Sequence, residues 1–226
     1  VDLFLDRARR TRPDFVPDDD VIPCVTDLVT LLDRLPLAIE LAAARSRMLT
    51  PRALLQRMSR RFDVLRSQST ERPSRQRTLR ATIQWSWGLL SEHERAALAQ
   101  LSVFEGGATL AAAEAVVHLS EPDVWLEDVL SGLIDWSLLT YSVDEARLTM
   151  LVSIQAFARE MLREPEPVLR RHGVYFSRLF PDRASWAVHA PAALAERANL
   201  LCALRHAVQT HSLSLIHISE PTRPSS

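Results

Sequence analysis

Residues 91–151 read SEHERAALAQLSVFEGGATLAAAEAVVHLSEPDVWLEDVLSGLIDWSLLTYSVDEARLTML. Ser91 followed by Glu94 is a capping box, in which each side chain satisfies the other's free backbone N–H. The helix it starts carries Ala97, Leu98 and Leu101 and stops before Gly106-Gly107. A short alanine-rich helix is expected over 110–117. Pro122-Asp123 starts a third, with Trp125, Leu126, Val129, Leu130, Leu133 and Ile134. The pattern then changes from helical spacing to two short β-like runs, Leu138–Tyr141 and Arg147–Leu151, around a polar Asp144-Glu145 turn. That reads as a hairpin.

Three helices, a hairpin and a further helix over 152–163 are the order of a winged-helix domain, a helix-turn-helix variant with a β wing. The flanks are helical. On the N-terminal side, Asp2–Arg12 places Leu3, Phe4 and Ala8 on one face, and Pro13 and Pro17 end it. Val25, Leu28, Val29 and Leu32 form the i, i+3, i+4, i+7 stripe of the next helix. Pro36 stands at a favoured first helical position. The residues after it, Leu37 to Ala44, are apolar almost all round, which predicts a helix buried between others. Thr50-Pro51 opens a helix with Leu54, Leu55, Met58, Phe62 and Leu65, and residues 66–77 are polar and aperiodic, a linker. Leu79, Ile83, Trp87 and Leu90 restart the helical register. Further helices are expected over 167–179 and 191–210. The predicted fold class is mainly α.

The 226 residues are 47% hydrophobic and 24% charged, with a formal net charge of -1. That is enough apolar material for a core, and no global field draws the chain to nucleic acid or an acidic membrane. Every basic residue is arginine, and only five glycines occur, which disfavours glycine-rich phosphate loops. Cys24 and Cys202 stand far apart without metal or redox spacing and are expected to be buried thiols. No apolar run is long enough to cross a membrane, and no signal-peptide pattern opens the chain, so a cytoplasmic protein without membrane contact is expected. Val1 without Met suggests a piece cut from something longer.

Six strings then resemble, in order, the NB-ARC or AP-ATPase division of the bacterial STAND signalling NTPases, as found in LuxR-type and SARP/BTAD-type regulators. Leu3-Phe4 to Arg9 fits its LFxxRAR stretch, and Leu35 to Ala42, LPLAIELA, its GLPLA motif. TLRATIQWS over 78–86 is similar to TLRAxIxWS, LSVFEGG over 101–107 to LAVFxGG, and LIDWSLL over 133–139 to LVDKSLL. ERANLLCALRHAV over 196–208 resembles the ExxNLRAALxWA string that opens the C-terminal helical, TPR-like region. The resemblance implies a helical lid over 1–66, a linker over 67–77, a winged helix over 78–165 and the start of a TPR-like region over 166–211. Residues 212–226 break the alanine- and arginine-rich style and read as the translation of a sequencing adaptor, excluded from fold reasoning.

In that family ATP or ADP with Mg is held by a P-loop domain upstream, which would be one partner; downstream helical repeats would be another. This chain has no GxxxxGK[ST] loop and no lysine, so no cofactor is expected on the fragment alone and it is not expected to be an enzyme. The resemblance places Pro36 at the adenine end of the nucleotide, with Leu35 and Leu37 shaping the same wall. The bland alternative is that Pro36 simply starts a buried helix, and both can hold. The motif's glycine is Arg34 here, which bears on the turn before Pro36. The family's phosphate-sensing triplet aligns with Met150, Leu151 and Val152, which cannot donate to a phosphate, and Gln155 stands where relatives carry arginine.

Other candidates divide between function and structure. The arginines 57, 60, 61, 66, 72, 75, 77 and 80 are a phosphate-contacting run or a solvated linker. The seven histidines lack metal-site spacing. Glu40, alone in an apolar helix, is expected to be a paired structural charge, and Trp85, Trp87, Trp125 and Trp136 core anchors. The leading reading is a regulatory segment closing over a nucleotide bound upstream, with DNA contacted only through another domain. Two alternatives stay open: a DNA-binding winged helix, against which Asp123, Glu127, Asp128 and Asp135 speak at the recognition position, and a helical scaffold for protein contacts.

Overall fold

A computed structural model describes residues 1–17, 20–66, 74–179 and 190–210, leaving aside the side chains of 60–66, 74–77 and 190. It is mainly helical with one small antiparallel sheet, and it divides into two compact units.

The first unit comprises Val1–Arg95 and Leu130–Leu139. Its helices are α1 (Asp2–Thr11), α2 (Val21–Leu31), α3 (Pro36–Ala43), α4 (Pro51–Arg66) and α5 (Ser74–Leu89). The core is the sum of their apolar stripes: Phe4 and Ala8, Val25 and Leu28, Ala38 and Ala42, Leu54 and Met58, Ala81 and Trp85. The expected all-round burial of α3 holds, with Ala38, Ile39, Leu41, Ala42 and Ala43 all buried. A single 3-10 turn, Ala44–Arg47, follows it. Between α2 and α3 the chain turns through two left-handed residues, Asp33 (φ 52) and Arg34 (φ 56). The Arg34 N–H closes the turn on the Val29 carbonyl at 3.0 Å. Here the motif's glycine would have no Cβ to strain, and Arg34 carries that strain instead. Helix α5 begins inside the stretch expected to be linker. Pro73 is the last helix breaker there, and nothing in Ser74–Arg77 opposes a helix.

The second unit comprises Ala96–Val129 and residues from Thr140 on. It holds most of α6 (Glu92–Leu101), then β1 (Ala108–Thr109), α7 (Leu110–Val116), the start of α8 (Leu126–Asp135), β2 (Thr140–Ser142) and β3 (Arg147–Thr149). Helices α9 (Val152–Met161), α10 (Pro165–Leu179), α11 (Ala190–Ala195) and α12 (Arg197–Gln209) complete it. The sheet order is β1-β3-β2, with Ala108 opposite Leu148 and Leu148 opposite Tyr141. This is the sheet of a winged helix. Strand β1 is only two residues long, too short for any alternation to be read from sequence. Gly107 (φ 76) leads into it, and a Cβ there would lie 2.5 Å from the Leu148 carbonyl oxygen, so only glycine fits.

Four expectations are corrected. The third helix of the motif starts at Leu126, not at Pro122, because Pro122 sits in a turn closed by the Val124 N–H on the Glu121 carbonyl at 3.4 Å. Trp125 therefore precedes the first helical residue and is 72% exposed, not a core anchor; Trp87 and Trp136 are half-buried, and of these four Trp85 alone is buried. The expected 191–210 helix is two helices broken at Glu196 (φ -93), whose side chain is drawn into a buried ion pair. The two thiols, Cys24 and Cys202, are half-buried and free rather than enclosed.

Candidate functional site

Pro36 occupies the first turn of α3, as its fixed φ favours, and is exposed; Leu35 and Leu37 beside it are half-buried. Leu35 caps the helix in extended conformation (φ -74, ψ 119) and packs on the core of the first unit. The three residues thus sit together at one helix start. Glu40 is paired, as expected, through Arg7 Nη2 to its Oε1 at 3.1 Å.

One turn beyond α3, Arg45 is 1% exposed. Its guanidinium lies 4.0 Å from the Trp136 ring centroid and 5.9 Å from that of Trp85. Nη1 donates to the Trp136 carbonyl at 3.4 Å, while Nε and Nη2 have no hydrogen-bond partner. Burial pushes its pKa down to about 9, with the nearby Glu94 carboxylate acting in the opposite sense. Glu94 also anchors this corner. Its Oε2 accepts the Ser91 N–H at 2.7 Å, and Ser91 Oγ accepts the Glu94 N–H at 3.2 Å, the capping box read from sequence. Its Oε1 accepts Trp136 Nε1–H at 3.0 Å. Arg47 pairs with Asp135 in the same unit.

In the second unit the polar focus is a buried clamp. Arg147, at the start of β3, meets Glu196 with two bonds of 2.6 and 3.0 Å, and its remaining donors reach the Gly106 and Gly107 carbonyls at 3.1 and 3.0 Å. Asn199 Nδ2 donates to Gly107 O at 3.0 Å and to Glu196 Oε2 at 2.9 Å, and its Oδ1 accepts the Glu105 N–H at 2.9 Å. Burial works to raise the Glu196 pKa, but hydrogen bonds from Arg147 and Asn199 outweigh it and hold the carboxyl below its usual range. Glu196 and Asn199 are the two polar residues of the ExxN string. Their place in the string gives them no role by itself; in the fold they tie α12 to the loop and the wing. Nearby, His172 is fully buried between Phe104 and Phe176, its ring 5.1 and 4.6 Å from theirs. Burial pushes its pKa down to about 4, so it is neutral.

Met150, Leu151 and Val152 lead into α9, where Leu151 and Val152 are 51% and 81% exposed. Gln155, in the arginine's place, donates to the Ser102 and Phe104 carbonyls at 3.1 and 2.7 Å, a packing role. Of the arginine run, the described side chains of Arg57 and Arg80 are exposed; the other six lie outside the described side chains. Among the described residues no group of His, Cys, Asp and Glu is arranged to hold a metal, and no helix is long and apolar enough to cross a membrane.

The winged-helix surface is acidic. Glu127, Asp128, Ser131 and Asp135 are the exposed polar residues of α8, and Asp144 and Glu145 stand exposed at the wing tip. The only cation in α8, β2, β3 and the wing turn is Arg147, already buried in the clamp.

Residues 90–163 match the family described as "Winged helix-turn-helix domain". An uncharacterized protein of Mycobacterium tuberculosis, Rv0894, is 37% identical over 168 residues, covering 73% of this chain and 43% of that protein. A second protein of the same organism, named "Putative HTH-type transcriptional regulator Rv0890c", is 35% identical over 184 residues, covering 79% of this chain and 21% of that protein. A Mycobacterium bovis protein, Mb0918, is also 37% identical over 168 residues, and 43% of it is covered. The chain thus spans less than half the length of these curated relatives. No solved structure gives a significant match. The chain carries a winged helix-turn-helix domain and is similar to a protein named as a transcriptional regulator.

Proposed function

We propose that the chain is a regulatory segment of a larger transcriptional regulator, and that its winged helix works through protein contacts rather than by reading base edges. The observation that carries this is the absence of cations from α8 and the wing apart from the buried Arg147. Neutralising the phosphate charge calls for Lys or Arg, and base readout at G calls for the same side chains. This surface offers carboxylates and an exposed Trp125 instead. The resemblance to STAND ATPases adds a finer version, in which the α3 start closes over a nucleotide held upstream. Its support is the string around Pro36 and that residue's exposed place at the helix start.

A duplex-binding winged helix is the second reading. The family match and the name of the longer relative favour it more directly than they favour nucleotide closing. That name belongs to a protein of which the matched part is 21%, so it leaves open which part binds DNA. Titrating a labelled random-sequence duplex with the chain at low and physiological salt separates the two. The proposal expects no saturable binding. Tight binding that weakens steeply with salt, and that is lost when Ser131 is replaced by Glu, establishes the duplex reader instead. ADP retained by a chain extended upstream, and lost on Pro36→Ala, would support the finer version.

A further inference from the structure

We propose that residues 121–128 of one copy of this chain dock into a groove beside α10 of a second copy. The groove measures about 900 Å³ and is lined by Arg170, Arg171, Val174, Tyr175, Arg178 and Leu179, with Glu166 at one end. Arg171 is engaged, its Nε bonded to the Val116 carbonyl and its Nη2 to Gln100 Oε1, both at 2.7 Å. Arg170 and Arg178 are exposed and have no ion-pair or hydrogen-bond partner among the described residues. With Val174 between them at i, i+4, i+8, they share one face of α10, about 12 Å apart along the axis at 1.5 Å per residue. The groove therefore has an apolar floor and a cationic edge.

The same chain presents the complement. Residues 121–128, EPDVWLED, carry Asp123, Glu127 and Asp128 exposed around Trp125, which is 72% exposed. Tryptophan is enriched among the residues that anchor protein interfaces, and this one is exposed and flanked in sequence by carboxylates. Its own groove leaves it uncovered, and the opposite charges of segment and groove make a second copy the matching occupant. A two-fold pair repeats it, each copy giving one segment and one groove. Nucleic acid fits less well: two unengaged arginines neutralise few phosphates, Glu166 repels them, and the apolar floor has no use against a backbone. The inference rests on the reading that the entry to α8 faces protein.

Sedimentation equilibrium of the 226-residue chain, from low micromolar to the highest soluble concentration, tests it, with a labelled duplex titration in parallel. The expected result is a salt-sensitive dimer whose dissociation constant rises about tenfold or more, ~1.4 kcal/mol or more, in Trp125→Ala and in Arg170→Glu/Arg178→Glu. These positions are exposed, and unchanged circular dichroism confirms that the variants fold. Adding Asp123→Arg and Glu127→Arg to the double arginine variant restores association. A monomer at every concentration overturns the proposal, and so does a dimer indifferent to these changes. If the monomer also ignores the duplex, the protein-contact reading stands without this partner. Tight, salt-sensitive duplex binding overturns both.

Discussion

Replacing Arg45 by methionine should make the first unit more stable, although it deletes a buried cation–π contact. The guanidinium is 1% exposed, makes one long hydrogen bond of 3.4 Å, and leaves Nε and Nη2 unmet. Lowering its pKa from the usual arginine range to about 9 corresponds to ~5 kcal/mol spent on keeping the charge in place. Against this stand ~1–2 kcal/mol of attraction to the Trp136 and Trp85 rings and ~1 kcal/mol for the bond to the Trp136 carbonyl. Methionine has nearly the same reach, keeps the contact with both rings and brings no donors. The expected gain is ~1–3 kcal/mol, in line with buried ions replaced by apolar groups of similar volume. Arg45→Ala should lose ~2–4 kcal/mol instead, because it opens a cavity.

Urea unfolding at pH 7, followed by tryptophan fluorescence and far-UV circular dichroism, reads both variants. A second handle is pH. A cation whose pKa is depressed on folding loses stability as pH falls through the folded value and regains it as pH rises toward the unfolded one. Wild type should therefore gain on Arg45→Met as pH rises from about 9 upward, where the folded chain sheds this proton first. The reasoning fails if Arg45→Met is less stable than wild type at pH 7 with unchanged urea dependence. The ring contacts would then outweigh desolvation and both unmet donors.

Glu196→Ala leaves the Arg147 guanidinium buried without its counter-ion and should cost ~3–5 kcal/mol in urea unfolding, with Asn199→Ala costing less. His172→Leu should flatten the acid limb of stability. The wild-type histidine, with its pKa of about 4, favours the fold fully above pH ~6.5 and loses that advantage, up to ~3 kcal/mol, as pH falls toward 4, which thermal melts between pH 4 and 7 resolve. Arg34→Gly relieves a left-handed arginine (φ 56) and should raise stability by ~0.5–1 kcal/mol net of glycine's extra unfolded-state freedom; a lower melting temperature refutes the strain argument.

Much of the fold was legible because its signals are local. The capping box at Ser91 and Glu94, the proline at the start of α3, and the stripes of α1 and α2 each lie within a few residues. What escaped depends on distant partners or on very short elements. Strand β1 exists only because β3 pairs with it. Trp125 falls off the apolar stripe because Pro122 nucleates a turn before the helix, a difference of four residues that periodicity cannot see. The helix break falls at Glu196, whose partner Arg147 lies 49 positions away. The candidate site was legible only as strings. Leu35, Pro36 and Leu37 do lie together, but nothing in their spacing says what they face.

Polar residues that lie in the recognised strings, or bond to them from outside, share a geometry that sequence could not assign. Glu94 holds Trp136 and its own helix start; Glu196 and Asn199 hold Arg147 and the Glu105–Gly107 backbone; Gln155 holds the Ser102 and Phe104 carbonyls. Each satisfies protein groups with most of its hydrogen-bonding capacity, so little is left to offer a ligand. A motif whose polar members are consumed in this way specifies a scaffold, because an unmet partner in such a buried network costs more than the bond itself. Trp125 with its carboxylates, and Arg170 with Arg178, are uncommitted surface features outside the strings. If strings preserve the frame, the identity of what the frame contacts is written in those uncommitted residues. Exchanging residues 121–128 and the α10 arginines between two such chains should then transfer partner choice without altering stability.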